Sequence, residues 1–235
     1  MSSYLAKAHK VFWSRFPPRK LAFVLYINKF QRYIMLFNDL NNRPEKEVII
    51  VGGANGSGKT TFAKEFLEKL AYNFINADEI AKELSPEDIS KAQISAGKEF
   101  FQRITECTKT GKSFMLESTL SGNYLKRIIT KLKSQDYKVT ILFVFLDSPE
   151  TCVNRVKLRV RKGGHHVPDI DVRRRYERCN RKFWEEYMPI SDNVHIVYNC
   201  QERSYVEVAN GGADFLEVED EQAYKYFLNL TGEEQ

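Results

Sequence analysis

A chain of 235 residues, 43% hydrophobic and 13% aromatic, buries a full core and falls where one main domain with appendages is the expectation. Its formal charge of +5 is unevenly placed, because Lys7, Lys10, Arg15, Arg19, Lys20, Lys29 and Arg32 precede the first acid, Asp39. Charges interrupt even the apolar stretch Leu21 to Phe37, which excludes a bilayer-spanning helix of about 20 residues, and Cys107, Cys152, Cys179 and Cys200 show neither a CxxC pair nor zinc spacing, so four reduced thiols in a cytoplasmic protein are expected.

Residues 1–46 form a basic, aromatic extension that ends at Asn41, Asn42, Arg43 and Pro44, a turn or linker composition. Its chemistry suits a helix packed on the domain, an anionic membrane surface, nucleic acid or a targeting presequence. The plain packed helix is preferred, and no nucleic-acid partner is expected. From residue 47 to 235 the chain reads as one domain. Short β-branched or aromatic runs at Val48–Val51, Asn73–Asn76, Ser113–Leu116, Val139–Leu146 and Val194–Tyr198 alternate with charged segments of helical period, the order of a parallel sheet covered by helices.

The first run leads into Gly53, Ala54, Asn55, Gly56, Ser57, Gly58, Lys59 and Thr60, followed by Thr61, which satisfies G-x-x-x-x-G-K-[ST] at every fixed position. Glycines let the backbone ring a phosphate with N–H groups. The new helix adds its positive end, Lys59 a point charge, and Thr60 a hydroxyl for Mg²⁺. This predicts ATP and Mg²⁺ as cofactors. No Asn-Lys-x-Asp guanine reader follows, and Asp147 is succeeded by Ser148 where ABC-type ATPases place glutamate, although Thr119 to Asn123 superficially resembles their signature.

After the second run, Asp78 and Glu79 stand where a doubly wound sheet binds ligands. Asp78 suits a general base that takes the proton of an attacking hydroxyl, or a helix N-cap. Ser85, Pro86, Glu87 and Asp88 predict the start of a long helix over 86–110, with a break near Gly97 and its end at Gly111. The third run ends in Glu117, Ser118 and Thr119. Glu117 there would hold the water shell of Mg²⁺ or accept hydrogen bonds from acceptor hydroxyls.

Eight arginines, Arg155, Arg159, Arg161, Arg173, Arg174, Arg175, Arg178 and Arg181, flank the turn Gly163 to Pro168. Two basic helices about such a turn predict a lid over a triphosphate, most of the arginines being solvated or paired. His165 and His166 make a poor metal site. Val206–Ala209 and Asp214–Val218 about Asn210, Gly211 and Gly212 predict a small hairpin, and Glu221–Leu230 a last helix. The fold class expected is α/β: a three-layer P-loop NTPase fold with a mainly parallel sheet, an arginine-rich helical lid and a C-terminal hairpin.

The segments GGANGSGKTTFA, NADEIA, ESTLSG, LDSPE, KGGHHVP and RRRYER, in that order from about Val48 to Asn199, resemble the zeta-toxin-like P-loop kinases, in particular their short bacterial branch, often labelled predicted ABC-type ATPases. The resemblance implies ATP-dependent phosphoryl transfer to a hydroxyl of UDP-N-acetylglucosamine or a related small molecule. It implies Lys59 on phosphate, Asp78 as base, Glu117, Ser118 and Thr119 toward the acceptor, Arg155, Arg159 and Arg174 toward ATP, and an antitoxin protein as a partner. It also makes Met35 a plausible alternative start. Ser118 stands where the toxins carry glycine. The competing expectation is a nucleotide-dependent ATPase switch with no acceptor.

Overall fold

The computed structural model describes residues 46–70, 72–201 and 204–233. The extension expected over residues 1–46 therefore lies, but for Lys46, outside the described residues. Strand β1 (Glu47–Gly52) is buried at all six positions, as an apolar run bounded by polar residues requires of a strand with neighbours on both sides and both faces covered. It pairs in parallel with β3 (Phe114–Ser118) and β4 (Lys138–Phe145). Strands β2 (Asn73–Ile75) and β5 (Asn193–Gln201) add in parallel outside them, and β6 (Ser204–Gly211) and β7 (Leu216–Val218) continue the sheet antiparallel. The order is β2-β3-β1-β4-β5-β6-β7.

The connecting helices are α1 (Lys59–Leu70), α2 (Ala77–Leu84), α3 (Gln93–Lys109), α4 (Tyr124–Lys133), α5 (Pro149–Arg161), α6 (Asp169–Lys182) and, at the end, α7 (Glu221–Thr231). All five expected parallel strands are present, each within a few residues of its predicted limits. The aromatic core sits over β4: Phe143 stacks on Phe183 with ring centroids 4.0 Å apart, and Phe145 meets Phe227 of α7 at 5.0 Å. The expected hairpin exists, and it is more than a hairpin, because β6 also pairs with β5 and welds it to the main sheet.

One expectation fails. The segment 86–110 is not a single helix broken near Gly97: Ser85 ends α2, with its N–H on Ala81 O at 3.0 Å. Asp88 then caps a short 3₁₀ turn, Ile89–Ala92, before α3 begins at Gln93. A proline after serine serves a helix exit as well as an entry, and the adjoining helix ran too close in sequence for the two to be told apart. Gly97 sits inside α3 with open space around it, and Gly111, at φ +65°, closes that helix as expected.

Among the described residues no helix is long and apolar enough to cross a membrane. Cys107, Cys152 and Cys179 are buried and free, and burial pushes the Cys152 thiol up to about 12 despite the nearby cations of Lys59 and Arg155.

Candidate phosphoryl-transfer site

The loop from Gly53 to Gly58 curls between the end of β1 and the start of α1. Two glycines are fixed by space as well as by backbone angle. Gly53 has φ +137°, and a Cβ there would lie 2.1 Å from Val144 O; Gly58 has φ +96°, and a Cβ would lie 2.4 Å from the Asn199 side-chain nitrogen. Ser57 N donates to Ala54 O at 3.2 Å and closes the turn. Lys59, only 5% exposed, folds back over the loop and donates from Nζ to Ala54 O at 2.8 Å.

Strand pairing brings the next group in. Because β3 lies beside β1 with Val51 opposite Glu117, the Glu117 carboxylate meets the loop. Its Oε1 is 3.8 Å from Lys59 Nζ, and its Oε2 accepts from Thr60 Oγ1 and from Asn76 Nδ2, both at 2.8 Å. Burial pushes the Glu117 carboxyl above the usual carboxylate range, and the Lys59 cation and the Thr60 hydroxyl oppose the rise.

That shift has a consequence for stability. A carboxyl whose folded pKa is raised binds more protons folded than unfolded between about 4.5 and its folded value, so raising the pH through that window lowers the unfolding free energy. We expect the nucleotide-free protein to lose thermal stability as pH rises from the ordinary glutamate range through the folded pKa. Glu117→Gln should flatten this dependence and raise the neutral-pH Tm by about 2–4 °C for each kcal/mol of burial penalty removed. Melting curves at stepped pH check both; an unchanged profile in the variant removes Glu117 as the source.

Asn76, rather than Asp78, caps α2: its Oδ1 accepts from Asp78 N at 2.8 Å and Glu79 N at 3.2 Å. The alternative role of Asp78 as a cap is thereby taken by its neighbour. The Asp78 carboxylate stands half-exposed, 3.9 Å from Arg159 NH1. Arg159 reaches it from α5, held by a 2.8 Å bond from NH2 to His165 O in the lid turn, and its Nε is buried with no hydrogen-bond partner.

The lid consists of α5 and α6, as the arginine pattern predicts, with Lys157 bridged to Asp169 at 2.6 Å. Lys59, Thr60, Glu117, Asp78 and Arg159 converge. Arg174 points elsewhere in this conformation, paired with Asp171 of its own helix at 2.6 Å, and Arg155 lies one helical turn before Arg159 on α5. Ser118 is buried, its hydroxyl bonded to Tyr124 OH at 3.0 Å and to Leu120 N at 3.1 Å. Thr119 pairs with the Ser121 hydroxyl at 2.8 Å, and Thr61 lies exposed in the first turn of α1.

Four residues at the site escaped sequence reasoning. Asn76 had a usable signal, an N-cap residue type directly after a strand. Arg175, whose NH1 donates to Asn55 Oδ1 of the phosphate loop at 3.2 Å, was one of eight equivalent candidates. Asn199 and Tyr205, which donate to Ser57 O at 2.8 Å and Gly58 O at 3.0 Å, carry no local signal at all.

Comparison with known proteins agrees with this architecture. An uncharacterised protein of Haemophilus influenzae is 30% identical over 132 residues, spanning 56% of this chain and 94% of its own length. The AvrRxo1-ORF1:-ORF2 complex solved with ATP contains a chain similar in structure at TM-score 0.62 and 18% identity, over 81% of this chain. This chain spans only 65% of that one. A structure of the PezAT chromosomal toxin-antitoxin system of Streptococcus pneumoniae matches at TM-score 0.56 and 18% identity, over 89% of this chain and 88% of its own. At such identities the likeness is one of fold. The model of the AAA domain family matches residues 48–181, more than half of the sequence, and the chain belongs to that family.

Proposed function

We propose that this protein is an ATP-dependent phosphotransferase that moves the γ-phosphoryl group to a hydroxyl of a small molecule, a UDP-activated amino sugar such as UDP-N-acetylglucosamine. The observation that carries the reading is the freedom of Asp78: with Asn76 capping α2, the Asp78 carboxylate accepts no hydrogen bond from the described residues and faces Arg159 across 3.9 Å. A carboxylate held at the end of the second strand, uncommitted to structure and next to a lid arginine, suits proton abstraction from an acceptor hydroxyl.

The residues divide the work as follows. The loop amides and Lys59 hold the β- and γ-phosphates. Asp78 takes the acceptor's hydroxyl proton as its oxygen bonds to the γ-phosphorus. The bond from that phosphorus to the β–γ bridging oxygen breaks, and the electron pair leaves with ADP. Arg159 faces the charge that spreads over the transferring group; its buried, unpartnered Nε suits a group that finds its partner in the substrate. Arg155, Arg174 and Arg175 are further lid contacts in this proposal, and Ser118 and Thr119 shape the acceptor side.

Thr60 Oγ1 and Glu117 Oε2, 2.8 Å apart, are hard oxygens of the kind magnesium prefers. Among the described residues no group of three or more His, Cys, Asp or Glu is placed to hold a metal ion by itself, and a magnesium ion that keeps waters and phosphate oxygens needs none. The two residues therefore fit the ion, which when bound neutralises charge on the β- and γ-oxygens. A cytoplasmic setting belongs to the same proposal, as does an antitoxin-type protein partner, the latter supported by the fold shared with a structure of the PezAT toxin-antitoxin system.

The test is incubation with γ-labelled ATP and a panel of nucleotide sugars. We expect label in a sugar product. Label released only as inorganic phosphate, with every acceptor supplied, supports the nucleotide switch and removes the transferase.

A further inference from the structure

Against the carbonyls of the phosphate loop, the β5–β6 hairpin makes two contacts that the mechanism above does not use. Asn199 of β5 is 3% exposed, and its Nδ2 donates to Ser57 O at 2.8 Å. Tyr205 of β6 donates from its hydroxyl to Gly58 O at 3.0 Å, while its ring lies against Phe62 of α1 at 4.7 Å between centroids. Both side chains crowd Gly58, whose added Cβ would lie 2.4 Å from Asn199 Nδ2 and 3.1 Å from the Tyr205 hydroxyl.

The described residues contain no cis peptide bond, so each peptide points its N–H opposite to its C=O. Fixing Ser57 O toward Asn199 turns Gly58 N–H the other way; Gly58 O is held by two donors, Phe62 N in the first turn of α1 at 3.0 Å and the Tyr205 hydroxyl at 3.0 Å, and together they turn Lys59 N–H away from it. Neither amide donates to any acceptor among the described residues. These are the donors a phosphate-binding ring needs, and a donor already oriented loses no freedom when the anion arrives.

We propose that Asn199 and Tyr205 are positioning residues for nucleotide binding: they clamp the carbonyls of Ser57 and Gly58 and thereby aim the Gly58 and Lys59 amides at the β-phosphate of a nucleoside di- or triphosphate. This rests on the phosphate-loop reading and not on the identity of the acceptor. The β5–β6 hairpin, where the parallel part of the sheet meets its antiparallel part, thus acts as a strut against the loop. Both contacts are made by side-chain donors, so Tyr205→Phe removes one while keeping the ring against Phe62, and Asn199→Ala removes the other.

Calorimetry with MgADP and with magnesium pyrophosphate, on the full chain, tests the assignment. Each variant is expected to bind both ligands about five- to tenfold more weakly, the worth of one lost orienting hydrogen bond. The factor should be the same for the two ligands, because the deficit lies at the phosphates, and the Tm of Tyr205→Phe without ligand should stay within a few degrees of the parent. Parent protein that binds neither ligand removes the phosphate-loop reading itself. Parent binding with a Tyr205→Phe variant of equal affinity overturns the clamp, as does a loss seen for only one of the two ligands. Should Asn199→Ala fail to fold, Tyr205→Phe alone decides.

Discussion

Asp78→Asn should leave nucleotide affinity within roughly twofold of the parent, because the ion pair it loses is solvent-exposed and long, while lowering kcat by about 10² to 10⁴, the range for a positioned general base. Asparagine matches the shape of the carboxylate but cannot take a proton. The two exposures, 37% for the Arg159 side chain and 45% for Asp78, are what make the binding term small. Asn76 continues to cap α2, so the helix and the melting temperature should be unchanged. Calorimetry for MgATP and single-turnover transfer to an acceptor measure the two halves separately. Equal kcat in both forms removes Asp78 from the chemistry; equal loss of affinity and rate makes it a binding group.

The second large effect is expected at Lys59. Lys59→Met keeps the length of the side chain and most of its packing, but removes a cation that is 6% exposed and lies 3.8 Å from a Glu117 carboxylate 13% exposed. Breaking a buried pair costs about 3–5 kcal/mol when the survivor stays charged. Glu117, already pushed upward by burial, avoids much of this by holding its proton to a higher pH. We expect Lys59→Met to weaken MgATP binding by roughly 10- to 150-fold, from the loss of a charged hydrogen bond worth about 1.5–3 kcal/mol. Its stability loss should grow as pH rises through the Glu117 window and shrink when Glu117→Gln is added. A loss of stability that the second substitution leaves untouched shows that packing, and not the stranded carboxylate, is responsible.

The placement of several of these groups was legible in the sequence. The phosphate loop declares itself because chemistry dictates the residue type at four fixed positions, Gly53, Gly58, Lys59 and Thr60, within eight consecutive residues, and the lid because arginine density about a glycine turn is unusual. Asp78 and Glu117 were legible through topology: a residue just past a parallel strand lies at the ligand-binding edge of the sheet, and the pairing of β3 with β1 brings Glu117 to Thr60. What sequence could not supply were contacts made across the fold. Asn199 meets Ser57 over 142 positions of sequence and Tyr205 meets Gly58 over 147; no periodicity or local pattern encodes such a meeting. Among the eight arginines, the expectation of Arg155, Arg159 and Arg174 left out Arg175 for a related reason. Arg174 and Arg175 are adjacent in sequence but about 100° apart around a helix, so one bonds Asp171 while the other reaches Asn55. The misplaced helix start at Ser85 has a local cause, since the signals that open one helix also close another.

Both outer strands of the sheet are three residues long, Asn73–Ile75 on one side and Leu216–Val218 on the other. Strands this short offer an incoming chain few free backbone groups to zip against, which guards the sheet from edge-on self-association. Any protein that docks on these described residues is thereby steered away from lengthening the sheet and toward gripping side chains on the helices and loops.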